Sequence, residues 1–454
     1  MLIAGALVVT LAVVSTAHKA ERATSTGRTA SASQTPLWSS RRVPSIVIAD
    51  AVQQRFASVI AGFAAPGRCV AVDGATGSLA RVAKTLAFAP ASTEKLLTGA
   101  AALDALGADH RFTTAAVSTG ALSGGTLHGD LVLVGGGDPV LATPDYRARL
   151  ASDPVTASEP TTNIADLASA LVRAGVQRVD GGVVADDSHY DTLRYLPSLK
   201  PSERSDIGPL GALTVDGGFA SPGVAAPDPA LLAAGALQTA LANAGVTVSG
   251  TSRRGAKPAA ARTIARVRSP RLDAIVESML TVSNNYTAEM LARAVGVAVE
   301  HEGTSAAGLR GIVATLRKLR VPTAGVSLAD GSGLSPQDRV TCPALLGAVE
   351  LGDRSAFRAL RDGLPIAGRT GTLALRFLND PLTGRLRAKT GHINGVVGLA
   401  GVVSTPAGSL SFAFIANGNF SDSFGQGLQD QIAHLVGSYP VIPDAPHLVP
   451  APVA

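Results

Sequence analysis

Pro90-Ala91-Ser92-Thr93-Glu94-Lys95-Leu96-Leu97-Thr98 is the stretch on which the reading of this chain turns. Lys95 is one of seven lysines against 32 arginines, and the only one with a serine three positions before it. Residues three apart share a helix face, so the Ser92 hydroxyl and the Lys95 amine can meet in one pocket. A serine is a poor nucleophile until a neighbour takes its proton. An amine held among apolar residues near a second cation has its pKa lowered enough to be that neighbour. Taken alone, the stretch reads more simply as a helix start, with Ser92 as N-cap, Glu94 as first-turn acid and Lys95 in solvent.

Two downstream segments change that. Ser283-Asn284-Asn285 has the form Ser-x-Asn, and Lys389-Thr390-Gly391 is the one Lys-Thr-Gly in the chain. In this order the three make the motif set of the penicillin-recognising serine enzymes. With so few lysines, chance is a poor explanation for two lysine motifs in the right order. The residue types suit attack on a peptide carbonyl. Ser92 would be the nucleophile, Lys95 its base, Ser283 a relay to the leaving amine, and Asn285 an amide that holds the substrate backbone. Lys389 and the Thr390 hydroxyl would meet a substrate carboxylate. Gly391, lacking a side chain, would let a substrate strand lie against it. The backbone N–H groups of Ser92 and His392 would receive the developing oxyanion.

On these motifs the chain resembles the class C low-molecular-mass penicillin-binding proteins, the D-alanyl-D-alanine carboxypeptidase and endopeptidase family. Further segments carry the same likeness: Val134-Gly-Gly-Gly-Asp-Pro, Ser269-Pro-Arg-Leu, Ser283-Asn-Asn-Tyr-Thr-Ala-Glu, Asp330-Gly-Ser-Gly-Leu-Ser, Gly368-Arg-Thr-Gly-Thr-Leu and Ala388-Lys-Thr-Gly. Together they span roughly residues 45–440. The resemblance implies a penicillin-binding transpeptidase-like, β-lactamase-like α/β (α+β) fold. In it an antiparallel sheet carries helices on its faces, beside a helical subdomain and inserted α+β material. It also implies peptidoglycan stem peptides as substrate and β-lactam antibiotics as inhibitors.

Composition agrees with an exported, loop-rich globular enzyme. The chain has 454 residues, 46% apolar and only 16% charged, with 49 glycines. That is ample for a core and for more than one domain, and argues against overall disorder. The net charge of +5 is partly local, since His18, Lys19, Arg22, Arg28, Arg41 and Arg42 crowd the N-terminal tail. No basic run interleaved with aromatics suggests nucleic acid. The eight histidines show no ligand spacing, so neither a metal nor a cofactor is expected. Gly135-Gly-Gly-Asp-Pro lacks the Gly-Lys-Ser/Thr of a phosphate loop and reads as a turn. No Gly-x-Ser-x-Gly elbow occurs.

The organisation follows from apolar patterning. Residues 1–17 are uncharged and almost continuously apolar, which suits a signal-peptide core ending in Ser15-Thr16-Ala17; without a basic start, an uncleaved anchor giving membrane association through the N-terminus is the alternative. Residues 18–44 read as a basic Ser/Thr-rich linker, and 440–454 as a Pro-rich extended tail. Between them the catalytic domain is expected over 45–112 and 263–439, interrupted by an inserted α+β region at 113–262. The interval is short for two full inserted subdomains. Strands are predicted at residues 69–72, 79–82, 132–134, 179–185, 246–249, 392–403 and 409–416, and helices at 164–174, 231–244 and 272–280. Ser283 falls at a break between two helices.

Two departures bear on selectivity. Family members often carry a basic residue after Asp-Gly-Ser-Gly-Leu-Ser, where this chain has Pro336; Arg339 is the nearest cation beyond it, and Arg376 is a second candidate for the same recognition. A small hydroxyl residue often follows Lys-Thr-Gly, where this chain has His392, a larger side chain able to change charge near neutrality. The two cysteines, Cys69 and Cys342, are read as either a disulfide or two buried thiols. Two other functions stay open at this point: a β-lactamase or esterase on the same fold, and a non-catalytic cell-wall-binding protein. No Glu-x-x-Leu-Asn follows Ser283 to supply a lactamase glutamate, and a binder needs no lysine beside its serine.

Overall fold

The computed structural model describes residues 43–63 and 65–441, with side chains from residue 52. The expected leader, nearly all of the linker, and the tail beyond Val441 lie outside the described residues. Val43 and Pro44, expected in the linker, instead begin helix α1 (Val43–Phe63). The chain divides into two units after Val52, within that helix, and every strand among the described residues belongs to the second. Among the described residues no helix is long and apolar enough to cross a membrane.

After α1 the chain forms a hairpin, β1 (Arg68–Gly74) and β2 (Gly77–Val82), then a 3-10 turn (Ala91–Glu94) that leads into α2 (Lys95–Leu106). The middle of the chain supplies β3 (Thr113–Ser118), β4 (Leu131–Val134), α3 (Ile164–Arg173), β5 (Val183–Asp186), α4 (Pro229–Asn243), β6 (Arg253–Arg254) and β7 (Arg262–Arg268). Four helices come next: α5 (Leu272–Val282), α6 (Asn285–Val295), α7 (Ser305–Lys318) and α8 (Cys342–Leu351). Three long strands, β8 (Leu386–Ile393), β9 (Val396–Thr405) and β10 (Gly408–Asn417), precede the last helix, α9 (Asp422–Gly437).

The main sheet has the order β8-β9-β10-β1-β2 and is antiparallel throughout. Strand alternation divides its residues between two cores. Cys69 and Ala71 of β1, with Ala413 and Ile415 of β10, face Leu96 and Ala100 of α2 and Leu345 of α8. Val70, Val72, Phe412 and Phe414 point the other way, toward Phe56 and Ile60 of α1 and Leu428 and Ile432 of α9. The sheet is therefore covered on both faces, which is why its strands read as nearly continuous apolar runs rather than alternating ones. A second sheet, order β6-β5-β4-β3-β7, draws all its strands from residues 113–268 and carries α3 and α4 over Leu131, Leu133, Val183 and Ala185. Its last strand, β7, runs across the boundary expected at residue 262.

Two strand expectations need correction. The run 392–403 is broken at Asn394-Gly395, where Gly395 takes φ 69°, so His392 and Ile393 end β8 and Val396 begins β9. Asn-Gly is a strong hairpin signal that the apolar β-branched run obscured. Likewise 179–185 is split by Asp180-Gly181-Gly182: Val179 belongs to a short strand (Arg178–Val179) of a four-stranded sheet, and β5 to the second sheet.

Cys69 and Cys342 are joined as a disulfide, linking β1 to the first residue of α8 across 273 residues. Alternation places Cys69 on the face that α8 covers, so the bond follows from strand register. Closing so long a loop restrains the unfolded chain and should stabilise it by roughly 2–4 kcal/mol. Denatured native protein should offer no alkylatable thiol until reduced, and Cys69→Ala/Cys342→Ala should unfold at correspondingly lower denaturant. Two thiols alkylated without reductant would contradict this.

Candidate active site

The serine turn is pressed onto the main sheet. A Cβ at Gly391 would lie 2.7 Å from the Pro90 carbonyl oxygen, and one at Gly398, its cross-strand partner, 2.9 Å from the same atom. Gly391 is thus required by the turn beneath it, a reason different from the substrate contact expected from sequence. Gly333, at φ 80°, lets the 330–335 loop approach from another side, because a Cβ there would meet the Ala91 carbonyl at 2.0 Å. The Asn417 amide clamps Ala89, accepting from its N–H at 2.8 Å and donating to its carbonyl at 2.9 Å. Held on three sides, Ala91 adopts φ 48°, a left-handed conformation that costs an alanine about 1 kcal/mol. Ser92 follows directly on this strained residue.

Lys95 is fully buried and its Nζ has three partners: Ser92 Oγ at 2.8 Å, Asn285 Oδ1 at 2.7 Å and the Ser332 carbonyl at 2.7 Å. Burial pulls the amine down to about 8, against the opposing fields of Asp330, Glu289 and Glu94. Ser283 takes φ 63° and ψ 39° as the C-cap of α5, so one left-handed residue reverses the chain into α6. That kink turns Ser283 toward Lys389, whose Nζ donates to Ser283 Oγ at 2.9 Å and to the Thr390 carbonyl at 2.9 Å. Asn284 is spent as the cap of α6, accepting from the Thr287 N–H at 2.9 Å. Lys389 is fully buried, and desolvation first, then the field of Lys95, holds its amine well below the usual lysine range. The fixed positive charge expected of Lys389 is therefore opposed by its surroundings in the free protein.

Thr390, Gly391 and His392 lie on β8, at the edge of the main sheet. Among the described residues the outer side of β8 is paired at its start, where the Ala367 N–H donates to the Leu386 carbonyl and the Ala388 N–H to the Pro365 carbonyl, both at 3.0 Å, and at the Thr390 carbonyl, which holds Lys389 Nζ. Alternation then sends the N–H groups of Thr390 and His392 off the same outer edge. The Thr390 hydroxyl pairs with that of Thr372 at 2.7 Å, and the His392 ring meets Asp422 at the start of α9, Nε2 to Oδ1 2.9 Å. From the opposite face, Gln429 Nε2 donates to the carbonyls of Gly391 and Gly398, at 3.0 and 2.8 Å. In the free protein Asn285 Oδ1 accepts from Lys95, and Nδ2 donates to the Asp206 carbonyl at 3.0 Å. A cavity of about 210 Å³ opens beside it, lined by Tyr146, Glu159, Ile207, Phe219 and Ser283 among others. Neither candidate substitute for a basic residue at 336 is free. Arg339 donates to the carbonyls of Pro336 and Asp338, at 2.8 and 2.7 Å, and Arg376 is tied to Gln429 and Asp430.

Behind Lys95 lie four buried carboxyls: Glu94, Glu289, Asp330 and Asp338. Asp330 accepts the N–H groups of Ser332, Gly333 and Ser335, fixing the loop whose carbonyl holds Lys95. Burial pushes Glu94, Glu289 and Asp338 above the ordinary carboxyl range. Glu94, the first-turn acid of the simpler helix-start reading, has no solvent exposure at all.

The D-Ala-D-Ala carboxypeptidase 3 (S13) family model matches residues 65–227 and 210–439, which takes in the serine turn, the α5–α6 kink and β8. The chain belongs to this peptidase family. A carboxypeptidase of Mycobacterium tuberculosis is 35% identical over 344 residues, 72% of this chain and 71% of that protein. The D-alanyl-D-alanine carboxypeptidase of Actinomadura is 30% identical over 432 residues, covering 77% of each. Among solved structures, penicillin binding protein 4 from Haemophilus influenzae superposes with a TM-score of 0.70 at 22% identity, over 84% of this chain and 99% of that one. The fold is thus that of the penicillin-binding proteins.

Within this S13 chain, the structure bonds Lys95 to Ser92 and Asn285, and separately Lys389 to Ser283, with the field of Lys95 reaching Lys389 and with Thr390, Gly391 and His392 following on β8. Sequence reasoning missed the Ser332 carbonyl, the Asn417 clamp, Gln429 and the buried acids. The carbonyl has no side-chain signature. Glu94, Glu289 and Asp330 fall inside the quoted motifs, and Asn417, Gln429 and Asp338 sit among other polar residues, so nothing in spacing or composition marks them as buried.

Proposed function

We propose that this S13 peptidase hydrolyses D-Ala-D-Ala-terminated peptidoglycan stem peptides and their cross-links through an acyl-enzyme on Ser92. The observation that carries the proposal is the buried Lys95 amine, 2.8 Å from Ser92 Oγ and bonded to no carboxylate. A neutral amine has two hydrogens and one lone pair. Donating the two to Asn285 Oδ1 and the Ser332 carbonyl leaves the lone pair facing Ser92, where it accepts the hydroxyl proton as Oγ attacks.

The substrate strand lies along the free edge of β8, where the Thr390 carbonyl and the outward N–H groups can pair with it. Its scissile carbonyl enters the space between the His392 N–H and the Ser92 N–H. The latter, at the start of a helix, has no intrahelical acceptor. A substrate backbone carbonyl replaces that of Asp206 at Asn285 Nδ2. The terminal carboxylate approaches Lys389 and Thr390, and its charge restores the proton that burial disfavours on Lys389. As the C–N bond breaks, Ser283 passes its hydroxyl proton to the leaving D-alanine nitrogen and takes back the one that Lys95 removed from Ser92. Lys95 is then neutral again, to deprotonate the incoming water and return a proton to Ser92 Oγ. Water then attacks the ester and Ser92 is regenerated. β-Lactams acylate the same serine, in line with the Haemophilus influenzae relative solved with a β-lactam bound. The disulfide and the location of the substrate both suit an exported, extracytoplasmic protein.

The test is release of D-alanine from a D-Ala-D-Ala pentapeptide and of monomers from a cross-linked dimer by the purified protein. If neither product forms, the proposal fails. Selectivity gives a further prediction. With Pro336 in place of a base and Arg339 turned onto its own loop, wild type should show little preference for a stem peptide bearing a free side-chain carboxylate. Pro336→Arg should raise that preference about 5- to 30-fold in kcat/KM, the effect of roughly 1–2 kcal/mol from one charge-assisted hydrogen bond. A strong wild-type preference that Pro336→Arg leaves untouched would assign recognition elsewhere.

A further inference from the structure

Both oxygens of Glu94, completely buried one residue before Lys95, have no hydrogen-bond donor, and Asp338 Oδ2 is in the same position. The carboxyl oxygens of Glu94, Asp330 and Asp338 lie within 4.8 Å of one another. Five N–H groups of the facing loop are spent on other oxygens of the cluster. Ala329 and Asp330 donate to Asp338 Oδ1 at 2.6 and 3.3 Å, and Asp330 takes its three from Ser332, Gly333 and Ser335. Two adjacent buried carboxylates with no donor between them are unstable unless a proton or a cation joins them. A divalent cation asks for six or more oxygens, or several waters. Only three carboxyl oxygens of this group are uncommitted, so a shared proton is the simpler occupant.

We infer that Glu94 is a positioning residue for the Ser92/Lys95 pair: as a neutral acid it donates to Asp338, pinning the 329–338 loop whose Ser332 carbonyl orients the Lys95 amine. The inference rests on the roles proposed for Ser92 and Lys95. The charged groups facing the pair are Lys95 on the adjoining turn, Asp330 on the loop and Glu289 from α6. Losing the shared proton would set two carboxylates against each other, release the loop, and add a negative charge near Lys95. That charge favours the protonated amine, which cannot act as base. Acylation should therefore rise with pH as Lys95 becomes neutral, then fall as the Glu94–Asp338 pair ionises.

The experiment measures acylation by a fluorescent penicillin against pH for wild type, Glu94→Gln and Glu94→Ala. Glutamine keeps a donor for Asp338 but cannot ionise. It should act at least about tenfold faster than alanine at neutral pH and lose the alkaline fall, or shift it by about one pH unit or more. A Glu94→Gln profile that superposes on wild type overturns the inference. An infrared carboxylic-acid stretch should also appear in the wild type at neutral pH and weaken as the alkaline limb is crossed. Its absence, or a stoichiometric metal ion in the purified protein, overturns the inference whether or not the variants fold. Wild type that takes up no penicillin at any pH would defeat the functional reading instead, leaving the infrared result to decide this one.

Discussion

Ser92→Ala is expected to lower kcat/KM for a D-Ala-D-Ala peptide by about 10⁴-fold or more while leaving the fold intact. The loss corresponds to about 5 kcal/mol of transition-state stabilisation. It arises because no neighbouring group replaces the nucleophile: Ser283 Oγ is bonded to Lys389, and Ser332 offers Lys95 its carbonyl rather than its hydroxyl. Folding should be spared, since Ser92 is only partly buried and the turn is held through backbone contacts at Gly391, Gly398 and Asn417. Steady-state kinetics alongside a thermal melt checks both halves. Residual activity within tenfold of wild type would show that Ser92 is not the nucleophile.

Lys95→Arg should be nearly as damaging, by about 10³-fold or more, although it conserves charge and much of the volume. A guanidinium stays protonated and cannot accept the serine proton. It also brings five N–H donors to a buried site whose three acceptors fit one ammonium or amine. The wild-type pH profile gives the companion observation. Burial lowers Lys95 to about 8, so the reactive neutral form is the minor species at pH 6 and gains as pH rises. Acylation should climb on that limb and level near the pKa, before any alkaline fall. A rate flat from pH 6 to 9, or normal acylation by Lys95→Arg, would remove Lys95 from the role of base.

The lysine-bearing motifs were legible because lysine is scarce in this chain, so Ser92–Lys95 and Lys389–Thr390 stand out from any background of surface charge. The kink at Ser283 was legible too, since the apolar period through Leu272, Ile275, Val276 and Met279 stops just before it. The hairpin at Asn394-Gly395 was lost inside a β-branched run buried on both faces, where alternation gives no guide to strand ends. The disulfide could not be decided from spacing, because the pairing depends on which face of β1 carries Cys69. The chemistry of peptide attack picks out Asn285 as an amide for the substrate, but its partners in the free protein, Lys95 and the Asp206 carbonyl, come from distant segments and have no sequence signal. Glu94 was the least legible. An acid in a first turn ordinarily faces solvent and favours the helix dipole; here the loop at 330–338 folds over it, a contact between residues far apart in sequence.

The most direct test of Ser92 as the acylated nucleophile is to treat the wild-type protein with labelled penicillin, digest it, and locate the adduct by mass spectrometry. One label per chain, on the peptide containing Ser92 and absent from Ser92→Ala, is the predicted result. A label on any other residue, or one that survives Ser92→Ala, would contradict it.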